Sequence, residues 1–513
     1  MAQSTRETER KYTAPSAGDG AWPPDLTAVK AVASVAPPEV DELDAVYHDT
    51  ADLRLTRTGA SLRRRTGGPD AGWHLKLPLP GDSREEVRAP LGSEDVPAEL
   101  RELVVARTRG APLGPVVRIR STRSRWRLLD SRGRPLAELS TDVVHAEALV
   151  PGGGHATWTE TEVELADGAG SQALLDRVEK VLREHGAERA QSPSKVARAL
   201  AETTTLLDGA PDRQPPARPR TAGDHVLAYL RRLTGTLVDL DPAVRRDTPD
   251  AVHRMRTTAR RLRGCLRSYR PVLDREATDP IRRDLKWLAG ELGVARDHEV
   301  LHERLGRGVE ALPGEVVLGP VTARLQAWDA ARRPEARRRT LDALASPRYL
   351  GLLDRLDALV AEPPLRAKAD GEPGKVMAKA LRKEYGRLAR RMERALGTPA
   401  GPERDTAVHE ARKAAKRLRY AAETARPALG RPAARLRKRV KTVQQVSGAH
   451  HDGVVARQTL RRLAVAAHAA GEPGFTWGLL YGREAAAGDT RERQLPEAWR
   501  RARAAARHGG LVR

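Results

Sequence analysis

Glu7, Glu9 and Lys11 occupy alternate positions in Glu7-Thr8-Glu9-Arg10-Lys11. On an extended strand the period of two turns these three to one face and Thr8 and Arg10 to the other. Two carboxylates and an ammonium make a poor core face, but they suit a divalent cation and a phosphate. Carboxylate oxygens take the hard cation, the cation neutralises phosphate charge, and the lysine adds a point charge. A solvated strand shows the same alternation, so the weight rests on whether the rest of the chain repeats it. It does: Glu162 and Glu164 share the spacing of Glu7 and Glu9, Arg63 and Arg65 fall on one side of their run, and His74 and Lys76 lie opposite Trp73, Leu75 and Leu77.

The elements that must carry these residues are short. Alternating runs bounded mostly by Gly, Pro, Asp or Ser occur at Ala45–Asp49, Ser61–Thr66, Trp73–Leu77, Glu85–Ala89, Val117–Ser121, Arg125–Leu129, Pro135–Ser140 and Thr157–Leu165. Helical periodicity marks Val96–Arg107 and Ser171–His185, where Leu174, Leu175, Val178, Val181 and Leu182 share a face. This pattern predicts an α+β fold, an antiparallel sheet flanked by a few helices. Its charged faces are either the wet side of an open sheet or the lining of a closed polar barrel.

Taken in order, Glu7-x-Glu9-x-Lys11, Tyr47-His-Asp-Thr50, Leu62-Arg-Arg-Arg65, Trp73-His-Leu-Lys76, Arg84-x-Glu86, Ala137-Glu-Leu-Ser-Thr-Asp142 and Glu162-x-Glu164 resemble the CYTH domain of triphosphate tunnel metalloenzymes, over about residues 1–205. The resemblance implies an eight-stranded antiparallel tunnel that binds a linear triphosphate with Mg2+ or Mn2+. Carried over by position, Glu7, Glu9, Asp142, Glu162 and Glu164 would hold metal. Lys11, Arg63, Arg65, Lys76, Arg120, Arg123 and Lys195 would grip phosphate oxygens, and Glu7, Glu9 and Lys11 would form the catalytic core. Arg120 and Arg123 differ in strand parity, so both face inward only if a bulge or strand end separates them, and Arg118, Arg125 and Arg127 compete for the role. Lys195, in Ser192-Pro-Ser-Lys, also reads as a solvated helix start. His74 reads as a wall residue rather than a general base.

Charge divides the chain. Residues 1–200 carry a net −2, which leaves +25 for residues 201–513, so the second part should seek a polyanion. Asp208–Arg220, with four prolines, reads as part of a linker over 206–222. A further break at Glu362–Gly374 splits the basic part into pieces of about 223–361 and 375–510. The pieces are repeats. Ala251–Arg263 aligns without gaps on Ala407–Arg419, and Lys286, Gly293 and Asp297 are spaced as Lys441, Gly448 and Asp452. At 100° per residue His253, Arg256, Arg260, Arg263 and Arg267 fall within about 80° of one another, and His409, Arg412, Lys416 and Arg419 reproduce the stripe. Like charges along one face repel unless an anion covers them. These residues resemble the CHAD domain, a duplicated all-helical module associated with inorganic polyphosphate. The resemblance implies that His253, Arg256, Arg260, Arg263 and Lys286, with His409, Arg412, Lys416, Arg419 and Lys441, grip the phosphate chain. Asp297 and Asp452 either orient these cations through salt bridges or bind a metal, and salt bridging is the expectation.

The 513 residues are enough for two to four domains. One cysteine, Cys265, excludes an internal disulfide framework and a cysteine zinc cluster. The first residues lack the apolar stretch of a secretory signal, and no run approaches the about 20 apolar residues of a membrane span. A cytoplasmic protein is expected, which polyphosphate granules could hold. Nucleic acid is the rival polyanion, but aromatic residues make up 3% of the chain and no aromatic cluster accompanies the stripe to stack bases. The expectation is a metal-dependent triphosphatase joined to a polyphosphate-binding bundle. The alternatives are a non-catalytic polyphosphate-binding or granule-associated protein, a nucleotide cyclase and a nucleic-acid binder.

Overall fold

The structure, a computed structural model, describes residues 3–13, 22–92, 94–168, 171–208 and 219–510. It divides into two compact units, Met1–Asp212 and Arg213–Arg513. Most of the proline-rich stretch expected as a linker, 209–218, lies outside the described residues.

The first unit has strands β1 (Gln3–Thr13), β2 (Ser34–Val35), β3 (Glu39–Asp49), β4 (Ser61–Thr66), β5 (Gly72–Pro78), β6 (Ser83–Ala89), β7 (Gly114–Leu129), β8 (Pro135–Ala148), β9 (His155–Leu165) and β10 (Glu188–Arg189). Eight of them close a barrel in the order β1-β6-β5-β4-β3-β7-β8-β9, with β9 pairing back on β1 and every pairing antiparallel. β2 adds to β7, and β10 to β1. The runs at Val117–Ser121 and Arg125–Leu129 prove to be one 16-residue strand, since Thr122-Arg123-Ser124 between them contains neither Gly nor Pro.

Among the described residues four α-helices dress the barrel: α1 (Arg54–Arg57), α2 (Ala98–Thr108), α3 (Gln172–Glu184) and α4 (Lys195–Thr203). Outward Trp73, Leu75 and Leu77 are buried beneath Leu100, Leu103 and Val104 of α2. Leu174, Leu175, Val178 and Leu182 of α3 cover Tyr12, Leu139 and Val163. Each such side chain contributes about 1.5–3 kcal/mol, so these two clusters of the core lie outside the barrel wall, and over this part of the barrel the charged faces turn inward. α4 closes one end. Its Val196, Ala199 and Leu200 pack on Ile119, Val144, Ala146 and Trp158, which share strand parity with the inward Arg123, Asp142 and Glu162.

The second unit is helical: α5 (Ala222–Arg245), α6 (Ala251–Ser268), α7 (Arg275–Glu310), α8 (Val321–Ala330), α9 (Arg333–Ala345), α10 (Pro347–Ala361), α11 (Pro373–Gly397), α12 (Pro402–Leu429), α13 (Arg431–Ala469) and α14 (Phe475–His508). The sequence repeat falls on α6–α7 and α12–α13. α6 packs on α12 and α7 touches α13. The α6–α12 approach is close, because a Cβ on Gly264 would stand 3.2 Å from Tyr420 Cδ2, and the Tyr269 hydroxyl donates to the Ala421 carbonyl at 2.7 Å. Among the described residues no helix is long and apolar enough to cross a membrane.

Candidate functional site

The barrel encloses a cavity of about 440 Å³ with an acidic and a basic wall. On the acidic side Glu7 and Glu9 of β1 meet Glu164 of β9, with ligand oxygens all within 4.8 Å of one another. Antiparallel register is the cause, since Glu9 lies directly opposite Glu164. Lys76 Nζ sits 2.6 Å from Glu7 Oε2 and 3.7 Å from Glu9 Oε2. Lys11 Nζ is 3.3 Å from Glu9 Oε1 and is also paired with Glu162. Burial, and then Glu7, Glu9 and Glu162, push the Glu164 carboxyl up to about 8 against the pull of Lys76. Burial also raises Glu7, with Lys76 opposing. Glu9 goes the other way: despite its burial, Lys11, Lys76 and Arg84 hold it at about 2. Three crowded carboxylates supply hard oxygen donors, which fit Mg2+ or Mn2+.

The basic side carries its own counter-charges: Arg65 pairs with Asp70, Arg123 with Asp142, and Arg125 with Asp41 at 2.8 Å. Arg63 Nη1 donates to the Tyr47 hydroxyl at 3.2 Å. Arg65 is lowered to about 10 by burial, then by Arg63 and Arg123, against Asp70. Arg63 itself is raised, with burial outweighed by Tyr47 and Glu86, so the depression falls on Arg65, whose like-charged neighbours favour an anion beside it. Arg125 and Arg127 line the same cavity further along β7.

The five carboxylates expected as one metal set split in two. Asp142 is fully buried and gives both oxygens to Arg123, at 2.8 and 2.9 Å, with Lys195 Nζ 3.1 Å away. Lys195 also reaches Glu160 at 2.7 Å and Glu162 at 2.5 Å. Asp142 and Glu162 thus belong to an ion network at the closed end, not to the Glu7–Glu9–Glu164 trio. Lys195 is not solvated. It opens α4, capped by Ser194, whose hydroxyl accepts from the Ala197 amide at 3.2 Å, and that start aims the lysine into the barrel.

Arg120 is a correction. β7 runs without a break between it and Arg123, so the even positions face out, and Arg120 lies exposed 3.8 Å from Asp44 on the outer wall beside Arg118. His74 is a wall residue as expected. Its Nδ1 lies 3.0 Å from Glu86 of β6 and its Nε2 2.9 Å from the Asp70 carbonyl of the β4–β5 loop. Asp49 of the Tyr47-His-Asp-Thr50 motif is structural, accepting from the amides of Leu55 and Thr56 at 2.9 Å and so holding α1 to β3. Sequence reading gave no role to Arg84, Glu86, Arg88, Glu138, Glu160 or Asp70. The alternation Glu160-x-Glu162-x-Glu164 signals Glu160, whereas Asp70 lies in a loop with no period to betray it.

In the helical unit, Arg256 of α6 forks onto Asp297 of α7 at 2.7 and 3.2 Å, and its counterpart Arg412 of α12 lies 3.6 Å from Asp452 of α13. The repeated glycines explain the fit. A Cβ would come within 3.1 Å of Arg256 Nη2 at Gly293 and within 3.2 Å of Arg412 Nε at Gly448. Packing of α6 on α12 merges the two stripes. Lys416 is half-buried and lowered to about 6 by its loss of solvent, then by Arg260, Arg412 and Arg256, with Asp452 opposing. The His409 ring lies 4.2 Å from that of His451 and is lowered to about 4 by burial and by His451, Lys413 and Arg412. His253 is lowered by burial and by Arg296. Arg263 feels Arg260 after burial, and Arg419 lies 4.9 Å over the Tyr420 ring. Lys286 and Lys441 are exposed, seven residues before the glycines and so on the same face of α7 and α13.

The CYTH family model matches residues 5–200 and the CHAD family model residues 228–461. The uncharacterized protein Rv2226 of Mycobacterium tuberculosis is 40% identical over 511 residues, covering 96% of both chains, and the same figures hold for MT2285 of a second strain. Among solved structures, PptA from Streptomyces chartreusis is 21% identical with a TM-score of 0.47, covering 55% of this chain and 100% of its own. The CHAD domain of the plant Ricinus communis is 24% identical with a TM-score of 0.45, covering 58% and 97%. HpAC1 from Hippeastrum, for which a dominant triphosphatase activity is described, is 19% identical with a TM-score of 0.24, covering 40% and 99%. With both family models matched in that order and a relative aligned over nearly its whole length, this chain belongs to the family that joins a CYTH domain to a CHAD domain.

Proposed function

We propose that the barrel hydrolyses inorganic triphosphate or a related triphosphate with Mg2+ or Mn2+, and that the helical unit binds polyphosphate. One observation carries the first part: Glu7, Glu9 and Glu164 share a single cavity with the mutually repelling Arg63, Arg65 and Arg123. A divalent cation bound by the trio would polarise a phosphoryl oxygen and activate water. The protein's own cations do the rest. Arg63, Arg65 and Arg123 hold phosphate oxygens and stabilise charge on the departing group, while Lys11 and Lys76 keep Glu9 ionised. The second part rests on Lys416 lying among Arg256, Arg260 and Arg412 from both repeats, a cation cluster that Asp297 and Asp452 offset only in part and a polyanion would relieve. A helical unit that holds the chain would raise the concentration of phosphate ends at the barrel. Both activities suit a cytoplasmic protein held at polyphosphate granules.

The test is phosphate release from tripolyphosphate, ATP and long-chain polyphosphate, with Mg2+, Mn2+ or EDTA, for the wild type beside Glu7→Gln. Metal-dependent release that disappears in the variant supports hydrolysis, and the best substrate names its class. Cyclic nucleotide formed from ATP would replace the reading with cyclisation. Polyphosphate binding with no release from any substrate would leave a non-catalytic binding protein.

A further inference from the structure

The connection between β4 and β5 folds a carboxylate into the mouth of the cavity. Gly67 and Gly68 take left-handed φ values of 77° and 69°. A Cβ on Gly67 would fall 2.0 Å from the Glu42 carbonyl oxygen, so the loop is pressed against β3 and its course is set by packing. That course delivers Asp70. Its carboxylate pairs with Arg65 through one oxygen and lies 3.8 Å from Arg88 Nη2 through the other. Its carbonyl accepts from Arg65 Nη2 at 3.3 Å and faces His74 Nε2 at 2.9 Å. Arg65 and Arg88 both line the cavity, and their site lies at the end opposite α4, where β4 ends and β5 begins.

A carboxylate and a phosphate compete for the same guanidinium fork. Arg65 otherwise faces like charge from Arg63 and Arg123. The loop therefore places a negative group where the basic wall most needs one.

We propose that Asp70 is a built-in anion that occupies Arg65 and Arg88 at the cavity mouth and is displaced when a phosphate chain binds, so that it limits the barrel's affinity for that chain. The inference rests on the barrel's being a triphosphate site. Binding exchanges one anion for another, and the gain is smaller than an unoccupied Arg65 would give; Arg88 stays paired with Glu86 throughout. A displaced Asp70 also remains near the bound phosphates as a like charge. The burial and ion pairs of Asp70 agree with this role, since Arg65, His74, Arg88 and Arg63 hold its carboxyl below the ordinary range against the effect of burial.

The experiment is a calorimetric titration of tripolyphosphate into the full chain in EDTA, for the wild type, Asp70→Asn, Asp70→Ala and Asp44→Asn. Asp44 pairs with Arg118 on the outer wall and serves as the control for lost charge alone. Both Asp70 variants should bind about tenfold more tightly, with Asp44→Asn at the wild-type affinity. A merely structural loop residue would weaken binding on removal, never tighten it. If Asp70→Ala loosens the fold, as read by its melting temperature, the isosteric Asp70→Asn carries the test. Equal or weaker binding by Asp70→Asn overturns the inference while leaving the triphosphate reading intact. No binding by any of the four overturns this inference, and the triphosphate reading falls with it where phosphate release with Mg2+ or Mn2+ is absent as well.

Discussion

Asp142 and Glu164 are both carboxylates on inward positions of adjacent strands, and their surroundings give them different work. Asp142 is locked by Arg123 and Lys195, whereas Glu164 crowds Glu7 and Glu9. Breaking the buried network should be a stability event: Asp142→Asn is expected to cost about 3 kcal/mol, seen as a lower melting temperature. Glu164→Gln should leave the melting temperature near the wild type and weaken the metal dependence of phosphate release at least about tenfold. If the two effects are exchanged between the variants, the division of the carboxylates into two groups is wrong. Lys416 gives a pH test. Alone it releases its proton near 6, under burial, Arg256 and Arg260 of α6, Arg412 of α12 and, opposing, Asp452 of α13. A phosphate beside it raises that value, so binding takes up a proton between the free and bound values. The sign follows from linkage: polyphosphate affinity should fall as pH rises from about 6, and Lys416→Met should flatten the slope. Affinities measured from pH 6 to 9 for both proteins check this, and a wild-type profile as flat as the variant's would refute it.

Helices and strands set what these residues can reach. α7 and α13 each carry a glycine where an arginine of the neighbouring helix lies across the backbone. Alanine is favoured over glycine in a helix by about 1 kcal/mol, yet a Cβ at Gly293 would push Arg256 off Asp297. Gly293→Ala should therefore hold or raise the melting temperature and lower polyphosphate affinity several-fold. Loss of stability with affinity unchanged would show that the glycine serves packing alone. In the barrel, β7 is the element whose length matters. Sixteen residues without a break fix the parity that sends Arg123, Arg125 and Arg127 inward and Arg118 and Arg120 outward.

Across the whole molecule the charge is sorted, −2 against +25. Binding by the basic part should depend on counter-ion release, so polyphosphate affinity should fall steeply with salt, and Arg256→Ala should reduce the slope of log affinity against log salt by about 1. Equilibrium titrations across a salt series measure both slopes. Duplex DNA competing on equal terms at physiological salt would return nucleic acid to the front. Much of this was legible in the chain itself. Alternating Glu, Lys and Arg in short runs, and two copies of a histidine-and-arginine stripe, were enough to identify a charged-lined β unit, a duplicated helical unit and both families, because period and repetition are properties of sequence. What only the tertiary structure decided was company. Parity states which face a side chain takes, but register across the β1–β9 seam chose Glu164 over Asp142 as the companion of Glu7 and Glu9. Helix packing between repeats brought Lys416 to Arg256 and Arg260, and a glycine turn with no period put Asp70 on Arg65. Neighbours far apart in sequence are fixed by closure and packing, and local spacing carries no record of either.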